Sequence, residues 1–236
     1  MSASIYAALN RQRGLMQEMQ VVSNNLANSS TTGFKADRAV FAEFVVPTGP
    51  DTDSISMGGL AGHTFELTQG SVKTTGGRLD VAIQGDGYFV LQTDGGERLT
   101  RAGHFGLSAE GQLIDGNGNP VMGGGGPITI PPEATSVSIA GDGSISFDGQ
   151  LIDRLRIVMP EGELLREGDT MFSATEGFVD LENASVLQGA LEQSNVSPVL
   201  EISRMIAVQR AYEAGQTMLE RNDQRLTKLL STVRDS

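Results

Sequence analysis

The sequence predicts an α+β protein with a helix at each end and β structure in between. Apolar residues recur at alternating steps of three and four over 5–26 and again over 202–233, which is the period of an amphipathic helix. Short apolar runs between these stripes are separated by clustered glycines, as in strands joined by tight turns. We expect the two helices to form a coiled-coil-like α domain and the middle to form an all-β, sandwich-like or barrel-like domain.

The first predicted domain, residues 1–35, holds the N-terminal helix and the turn that ends it. A heptad pattern runs from Ile5 to Leu26, and Gly14 is the one weak helix former within it. Short polar side chains then cluster over 24–30, where they compete with the helical backbone for hydrogen bonds. We therefore predict that the helix ends in this cluster.

Residues 36–76 are predicted to be an extended linker, because VPTGPDTDSISMGGLAG has no sustained period and is rich in turn formers. Residues 77–184 are predicted to be the central β domain. At least eight short strands are expected there, at 79–83, 88–93, 97–101, 104–108, 112–116, 127–130, 136–140, 144–149 and 155–160. The sequence leaves the state of 181–193 open.

The last predicted domain, residues 185–236, ends in a helix that pairs with the N-terminal one. Ser197 suits the N-cap, Pro198 the first helical position and Glu201 the first turn. Polar residues lie on both predicted seams, which a helix–helix contact tolerates better than a core does. They are Gln12, Gln209, Gln216 and Asp223. The alternative is that both stripes pack internally on a sheet.

Charge is distributed unevenly along the chain. The net charge is −12, and the segment 36–184 holds an excess of −14, while the two ends are close to neutral. This pattern suggests ends that contact protein and a middle that faces water, and it disfavours nucleic acid as a partner. Neither a secretory signal peptide nor a run of about 20 apolar residues is evident, so no membrane insertion is expected.

The motifs that come nearest to a catalytic, cofactor or metal site lack residues that such a site requires at set spacings. The loop at 115–119 lacks the glycine and glutamate that a calcium-binding EF-hand requires at later positions. Gly85-Asp86-Gly87 lacks the third glycine of a dinucleotide fingerprint. With no cysteine and only two histidines, a zinc site is disfavoured. We expect no catalytic residues, no metal site and no cofactor.

Three segments, in order, carry a resemblance to one family. NNLANSSTTGFK (24–35) resembles the signature that ends the first helix of flagellar basal-body rod and hook proteins, with a departure at Ser30, where Asn is usual. Segments 79–93 with 98–115, and 188–214, resemble the family's β-domain opening and C-terminal motif. Within the family, the opening SIYAALNRQ and the modest length favour the proximal over the distal rod type. The signature residues are Asn24, Asn25, Ala27, Asn28, Thr31, Gly33, Phe34 and Lys35.

The resemblance implies a structural subunit of the flagellar rod, which polymerises through its terminal helices into the axial shaft that transmits torque. It implies a periplasmic location after export by the flagellar type III apparatus without a cleaved signal. Its partners would be other rod proteins, copies of itself in a helical axial assembly, and the export apparatus. The alternative function is a secreted β-rich adhesin or binding module with a helical oligomerisation stalk.

Assembly is expected to use apolar positions on both helices. Because an isolated helix is marginal in water, we predict that residues 1–30 and about 200–236 are largely mobile in the free monomer and order on stacking. Growth of a rod requires heterologous contacts. The predicted packing contacts are Ile5, Leu9, Met16, Met19, Leu26, Ile202, Met205, Tyr212, Leu219, Leu226 and Leu230.

Overall fold

The computed structural model describes residues 2–47, 54–131 and 136–234. Two helices lie at the ends of the chain, α1 (Ser2–Ala27) and α2 (Pro198–Arg234), and all the described strands lie between them. The sequence prediction of terminal helices and a mostly β middle is therefore confirmed. The chain divides into two compact units. We call them the helical unit (1–27, 37–66 and 197–236) and the β unit (28–36 and 67–196).

Two long strands belong to the helical unit, namely β1 (Asp37–Pro47) and β2 (Ser54–Phe65). The strands of the β unit are β3 (Val72–Thr74), β4 (Val81–Gln84), β5 (Tyr88–Thr93), β6 (Gly96–Thr100), β7 (Gly106–Leu107), β8 (Leu113–Ile114), β9 (Met122–Gly123), β10 (Gly126–Pro127), β11 (Val137–Ile139), β12 (Ser144–Phe147), β13 (Gln150–Arg154), β14 (Ile157–Pro160), β15 (Leu164–Arg166), β16 (Met171–Ala174), β17 (Phe178–Asp180), β18 (Ser185–Gln188) and β19 (Ala190–Glu192).

In the helical unit, α1 packs against both α2 and the β1–β2 pair. The two helices run antiparallel, since Gln12 lies beside Tyr212 while Asn25 lies beside Glu201. The weak helix former Gly14 is explained by this packing. A Cβ atom there would lie 3.2 Å from the Phe41 ring, so the strand approaches closely because the side chain is absent.

Within the segment 36–76, which the sequence predicts to be an extended linker, the structure describes two long strands, and residues 48–53 lie outside the described part of the chain. β1 and β2 pair antiparallel from Asp37 with Phe65 to Pro47 with Ser54, with an irregularity between Val40 and Phe41. The apolar and β-branched residues of DRAVFAEFVVP are typical of a strand. The turn-forming residues that follow them in the sequence led to the prediction of a linker instead. β2 contains several glycines and lacks the side-chain pattern of a strand, but its backbone pairs with β1.

The face of α2 that packs inward differs from the predicted seam by about one residue. Glu201 and Val208 are buried, whereas the predicted seam residues are exposed at four positions. Met205, Tyr212 and Leu219 are half-buried and fit both stripes, so the spacing alone does not distinguish the face that packs inward from the adjacent one. The exposed positions are Ile202, Gln209, Gln216 and Asp223.

α2 begins as predicted. The Ser197 carbonyl accepts a 3.0 Å hydrogen bond from the Glu201 amide, which is the first bond of the helix, and Pro198 takes the first helical position. Glu201 lies in the first turn, as expected, but its side chain is buried rather than solvated.

The largest sheet of the β unit has six strands in the order β15-β16-β6-β5-β14-β17. The other described strands of this unit form small sheets of two or three strands, and no closed barrel is present among the residues that the structure describes. β5 matches its predicted range, whereas several predicted strands shorten to two residues. Residues 181–193, whose conformation the sequence did not specify, contain β18 and β19. The core is formed by Val81, Ile83, Phe89, Leu91, Phe105, Leu113, Val121, Ile128, Ile130, Ile145, Leu155 and Ile157.

Candidate functional site

The segment 24–35 contributes residues to both units. Asn24, Asn25 and Ala27 form the last turn of α1, and the remaining positions belong to the β unit. After the helix, a turn is closed by the Thr31 amide, which donates to the Asn28 carbonyl at 3.1 Å. The Thr31 hydroxyl also donates to Asn28 Oδ1 at 3.1 Å. Short polar side chains thus hold the turn that follows α1.

Asn25 connects three elements of the helical unit. Its side chain is fully buried; Nδ2 donates to the Asp37 carbonyl at 2.8 Å, and Oδ1 accepts from the Asp37 amide at 2.9 Å. Nδ2 also lies 3.4 Å from Glu201 Oε2, and Glu201 is paired with Arg204 at 3.1 Å. One amide therefore joins the end of α1 to the start of β1 and to the first turn of α2.

Gly33 occupies a position that other residues cannot take without strain. Its φ is +70°, in the left-handed region, and its amide donates to the Glu192 carbonyl at 2.8 Å. A Cβ atom would lie 2.3 Å from the Ala102 amide nitrogen and 2.4 Å from the Arg101 carbonyl carbon. The turn can approach the backbone of 101–102 only because no side chain is present.

Lys35 is completely buried in the β unit, where Glu192 is its counter-ion. Nζ lies 2.6 Å from Glu192 Oε1 and donates to the Thr68 carbonyl at 2.8 Å. Arg101 is also buried; its Nη1 lies 3.2 Å from Glu192 Oε2 and donates to the Gly85 carbonyl at 2.8 Å. We call Lys35, Arg101 and Glu192 the buried charge cluster.

The buried charge cluster holds two cations and one anion. Burial lowers the pKa of the Lys35 ammonium below its usual value, while its hydrogen bond and charge interaction with Glu192 oppose that change. Burial likewise raises the pKa of the neighbouring Tyr88 phenol, whose ring lies 5.0 Å from the Arg101 guanidinium carbon. Glu192 is therefore the carboxylate that binds both buried cations directly.

Phe34 and Lys35 are also held by Arg166. The guanidinium carbon of Arg166 lies 4.3 Å from the centre of the Phe34 ring and 5.2 Å from that of Phe172, and Nη2 donates to the Lys35 carbonyl. Phe34 is fully buried together with Ala36 and Val196. No sequence motif indicated a role for Arg101, Arg166 or Glu192. The signal available for Glu192 was a single charge in an otherwise apolar strand, ALE.

The predicted packing contacts fall into three groups. The side chains of Ile5, Leu226 and Leu230 lie outside the described residues. Met19, Leu26, Met205, Tyr212 and Leu219 are half-buried. Leu9, Met16 and Ile202 are 50%, 60% and 46% exposed, although α1 and α2 already pack against each other. Exposed apolar residues that the prediction did not include are Val199, Leu200, Ile206 and Met218 on α2.

The loop at 115–119 is held by its own hydrogen bonds. Asp115 Oδ1 accepts from the amides of Asn117 and Asn119 at 2.9 and 2.8 Å, and Oδ2 accepts from Asn119 Nδ2 at 3.0 Å. Across the described residues, no cluster of three or more acidic or histidine side chains could hold a metal ion. In the described parts of α1 and α2, no stretch is long and apolar enough to cross a membrane.

Comparison with known proteins identifies the family. Three family profiles match in order, described as flagella basal body rod protein (5–35), flagellar hook protein FlgE/F/G D1 domain (82–147) and flagellar basal body rod FlgEFG protein C-terminal (187–232). The flagellar basal-body rod protein FlgF of Caulobacter vibrioides is 38% identical over 228 residues, covering 93% of each chain. The chain belongs to the flagellar basal-body rod protein family.

Other relatives bear the names of two family members. FlgF of Salmonella typhimurium is 35% identical over 253 residues, covering 98% of this chain and 99% of the relative. FlgG of Bacillus subtilis is 31% identical over 269 residues, covering 99% of this chain and all of the relative. The family is a structural one, so this rod protein is a structural subunit of the flagellar basal body.

Proposed function

We propose that this rod protein polymerises through its helical unit, with the exposed apolar residues of α1 and α2 as the contacts between subunits. The observation that carries the proposal is that Leu9 and Met16 on α1, and Ile202 and Ile206 on α2, remain exposed although both helices already have packing partners. Contiguous exposed apolar side chains mark sites of protein association. The two ends of the chain are also close to neutral, so charge repulsion between copies is small there.

The contact is heterologous. A growing rod needs the face of one subunit to meet a different face of the next, because a two-fold contact closes on itself. The α1 set and the α2 set are two such faces, and we assign them to each other. In the assembly, the helices form coiled-coil-like layers that help transmit torque, and the acidic β unit faces water.

The partners are other copies of this chain and other rod proteins, in the proximal rod, reached by export through the flagellar apparatus into the periplasm without a cleaved signal. We assign the protein no enzymatic activity, no cofactor and no nucleic-acid ligand. Family membership favours this role over that of a secreted binding module or adhesin.

A pair of matched variants in a deletion strain tests the proposal. Met16→Asp places a charge on the exposed face of α1, and Leu151→Asp places one on β13, where Leu151 is 69% exposed. Because neither side chain is buried in the monomer, both variants should fold and be exported. We expect Leu151→Asp to enter isolated basal bodies and restore swimming, and Met16→Asp to do neither. Incorporation of Met16→Asp at the wild-type level would refute the proposed contact.

A further inference from the structure

Glu192 is the point at which the signature segment meets the rest of the β unit. Its backbone carbonyl accepts from Gly33, and its Oε1 binds Lys35 and also accepts from the Gly70 amide at 3.1 Å. Its Oε2 binds Arg101. All of these groups lie within the β unit, and Glu192 is the last residue of β19.

The contact is long-range in sequence. Lys35 and Glu192 are 157 residues apart, and the Ala36 amide is likewise bound by the side chain of Asn195, 159 residues away, at 2.8 Å. The chain therefore cannot hold the segment 28–36 in this place until β19 has been made and has paired. Until then, Lys35 lacks the carboxylate that binds its Nζ at this buried position.

Docking of the segment 28–36 depends strongly on Glu192 because the side chains that Glu192 binds are charged. Transfer of an ammonium group out of water is unfavourable unless an opposite charge and hydrogen bonds receive it. Without Glu192, Lys35 and Arg101 would be two buried cations in one place, which repel each other. The segment would then be more stable undocked, with Lys35 in water.

We propose that the buried charge cluster is a folding lock, which fixes the segment 28–36 in the β unit only after the C-terminal strand β19 is in place. Gly33, Phe34 and Lys35 then make their contacts within the same chain, and they are buried rather than available to a neighbouring subunit. The lock ties the residues that follow α1 to those that precede α2, and it delays this step until almost the whole chain is present.

Hydrogen exchange on the full-length monomer tests the lock. Glu192→Gln keeps the shape of the side chain but removes its charge, and Glu163→Gln is a matched control at an exposed site. In Glu192→Gln, we expect amide protection over 30–36 to fall by about tenfold or more, with little change in β5 and β6. The control should match the wild type.

A second variant covers the case in which Glu192→Gln does not fold. Lys35→Met removes the bonds from Nζ to Glu192 and to the Thr68 carbonyl and leaves those buried acceptors without this donor, so it should also release 30–36. Glu192 stays paired with Arg101, so β5 and β6 should keep their protection. Glu192→Gln leaves Lys35 and Arg101 as two unpaired cations, and adding Lys35→Met removes one of them. Amide protection over 30–36 in this double variant should therefore be no lower than in Glu192→Gln alone. Unchanged protection over 30–36 in the two single variants would overturn the proposal. An equal loss over the whole β unit in both would also overturn it, since Glu192 would then be an ordinary core residue.

Discussion

Replacement of Asn25 by alanine should separate the elements that meet at the end of α1. The change removes the bonds to the Asp37 amide and carbonyl, at 2.9 and 2.8 Å, and the longer contact with Glu201 at 3.4 Å. A backbone group left without a partner costs about 1–3 kcal/mol when buried. Because Asp37 is only half-buried, water reaches it in part, and the lower half of that range applies to each group.

The expected loss of stability of the helical unit is therefore about 2–3 kcal/mol, after a gain of up to about 0.6 kcal/mol from the better helix propensity of alanine. Ser23→Ala is the control, since Ser23 is a small polar residue on the same helix, close to Asn25, and is exposed. It should change stability by less than about 0.5 kcal/mol. The assay is denaturant unfolding followed by the helical circular-dichroism signal, because the chain has no tryptophan.

Asn25→Asp gives a second measurement at the same position. It removes the amide donor and places a carboxylate beside that of Glu201, so it should destabilise the helical unit at neutral pH. Equal stability of Asn25→Ala and Ser23→Ala would refute the role assigned to Asn25.

Three further predictions concern the turn and the helices. Gly33→Ala forces a left-handed alanine against the backbone of 101–102 and should destabilise the β unit by about 2 kcal/mol or more, measured by denaturant unfolding, whereas Gly116→Ala, with open space around it, should not. Met19→Asp charges a half-buried position of α1 and should block entry into basal bodies while the β unit stays folded by hydrogen exchange; normal assembly would contradict the packing of α1. In the free monomer, exchange should be slowest near Asn25 and Glu201 and rise toward both chain ends, and uniform strong protection along both helices would contradict ordering on assembly.

The terminal helices and the turn after α1 could be predicted because local chemistry specifies them. Steps of three and four residues identify the helices, and Ser197-Pro198 identifies where α2 begins. The face that α2 presents could not be fixed, because Met205, Tyr212 and Leu219 fit two adjacent stripes equally well. The choice between these stripes depends on packing against α1, which the pattern on one helix does not contain.

The β1–β2 pair and the buried charge cluster depend on contacts distant in sequence. β2 contains Gly58, Gly59 and Gly62, and its strand conformation comes from pairing with β1. Lys35 could be recognised as part of a signature, but its counter-ion lies 157 residues away. A charged residue in an apolar strand indicates a buried pair only when its partner is known.

Cysteine cross-linking in assembled basal bodies tests most directly the claim that the α1 face of one subunit meets the α2 face of the next. The chain contains no cysteine, so Met16→Cys and Ile206→Cys can be introduced singly, in two differently tagged copies expressed together. A heterologous contact should give an oxidised dimer that contains one copy of each variant, and no dimer when either variant is present alone. The control pair Leu151→Cys and Val179→Cys, both exposed on the β unit, should form no such dimer. Dimers of Met16→Cys with itself, or no mixed dimer in fully assembled basal bodies, would contradict the heterologous contact.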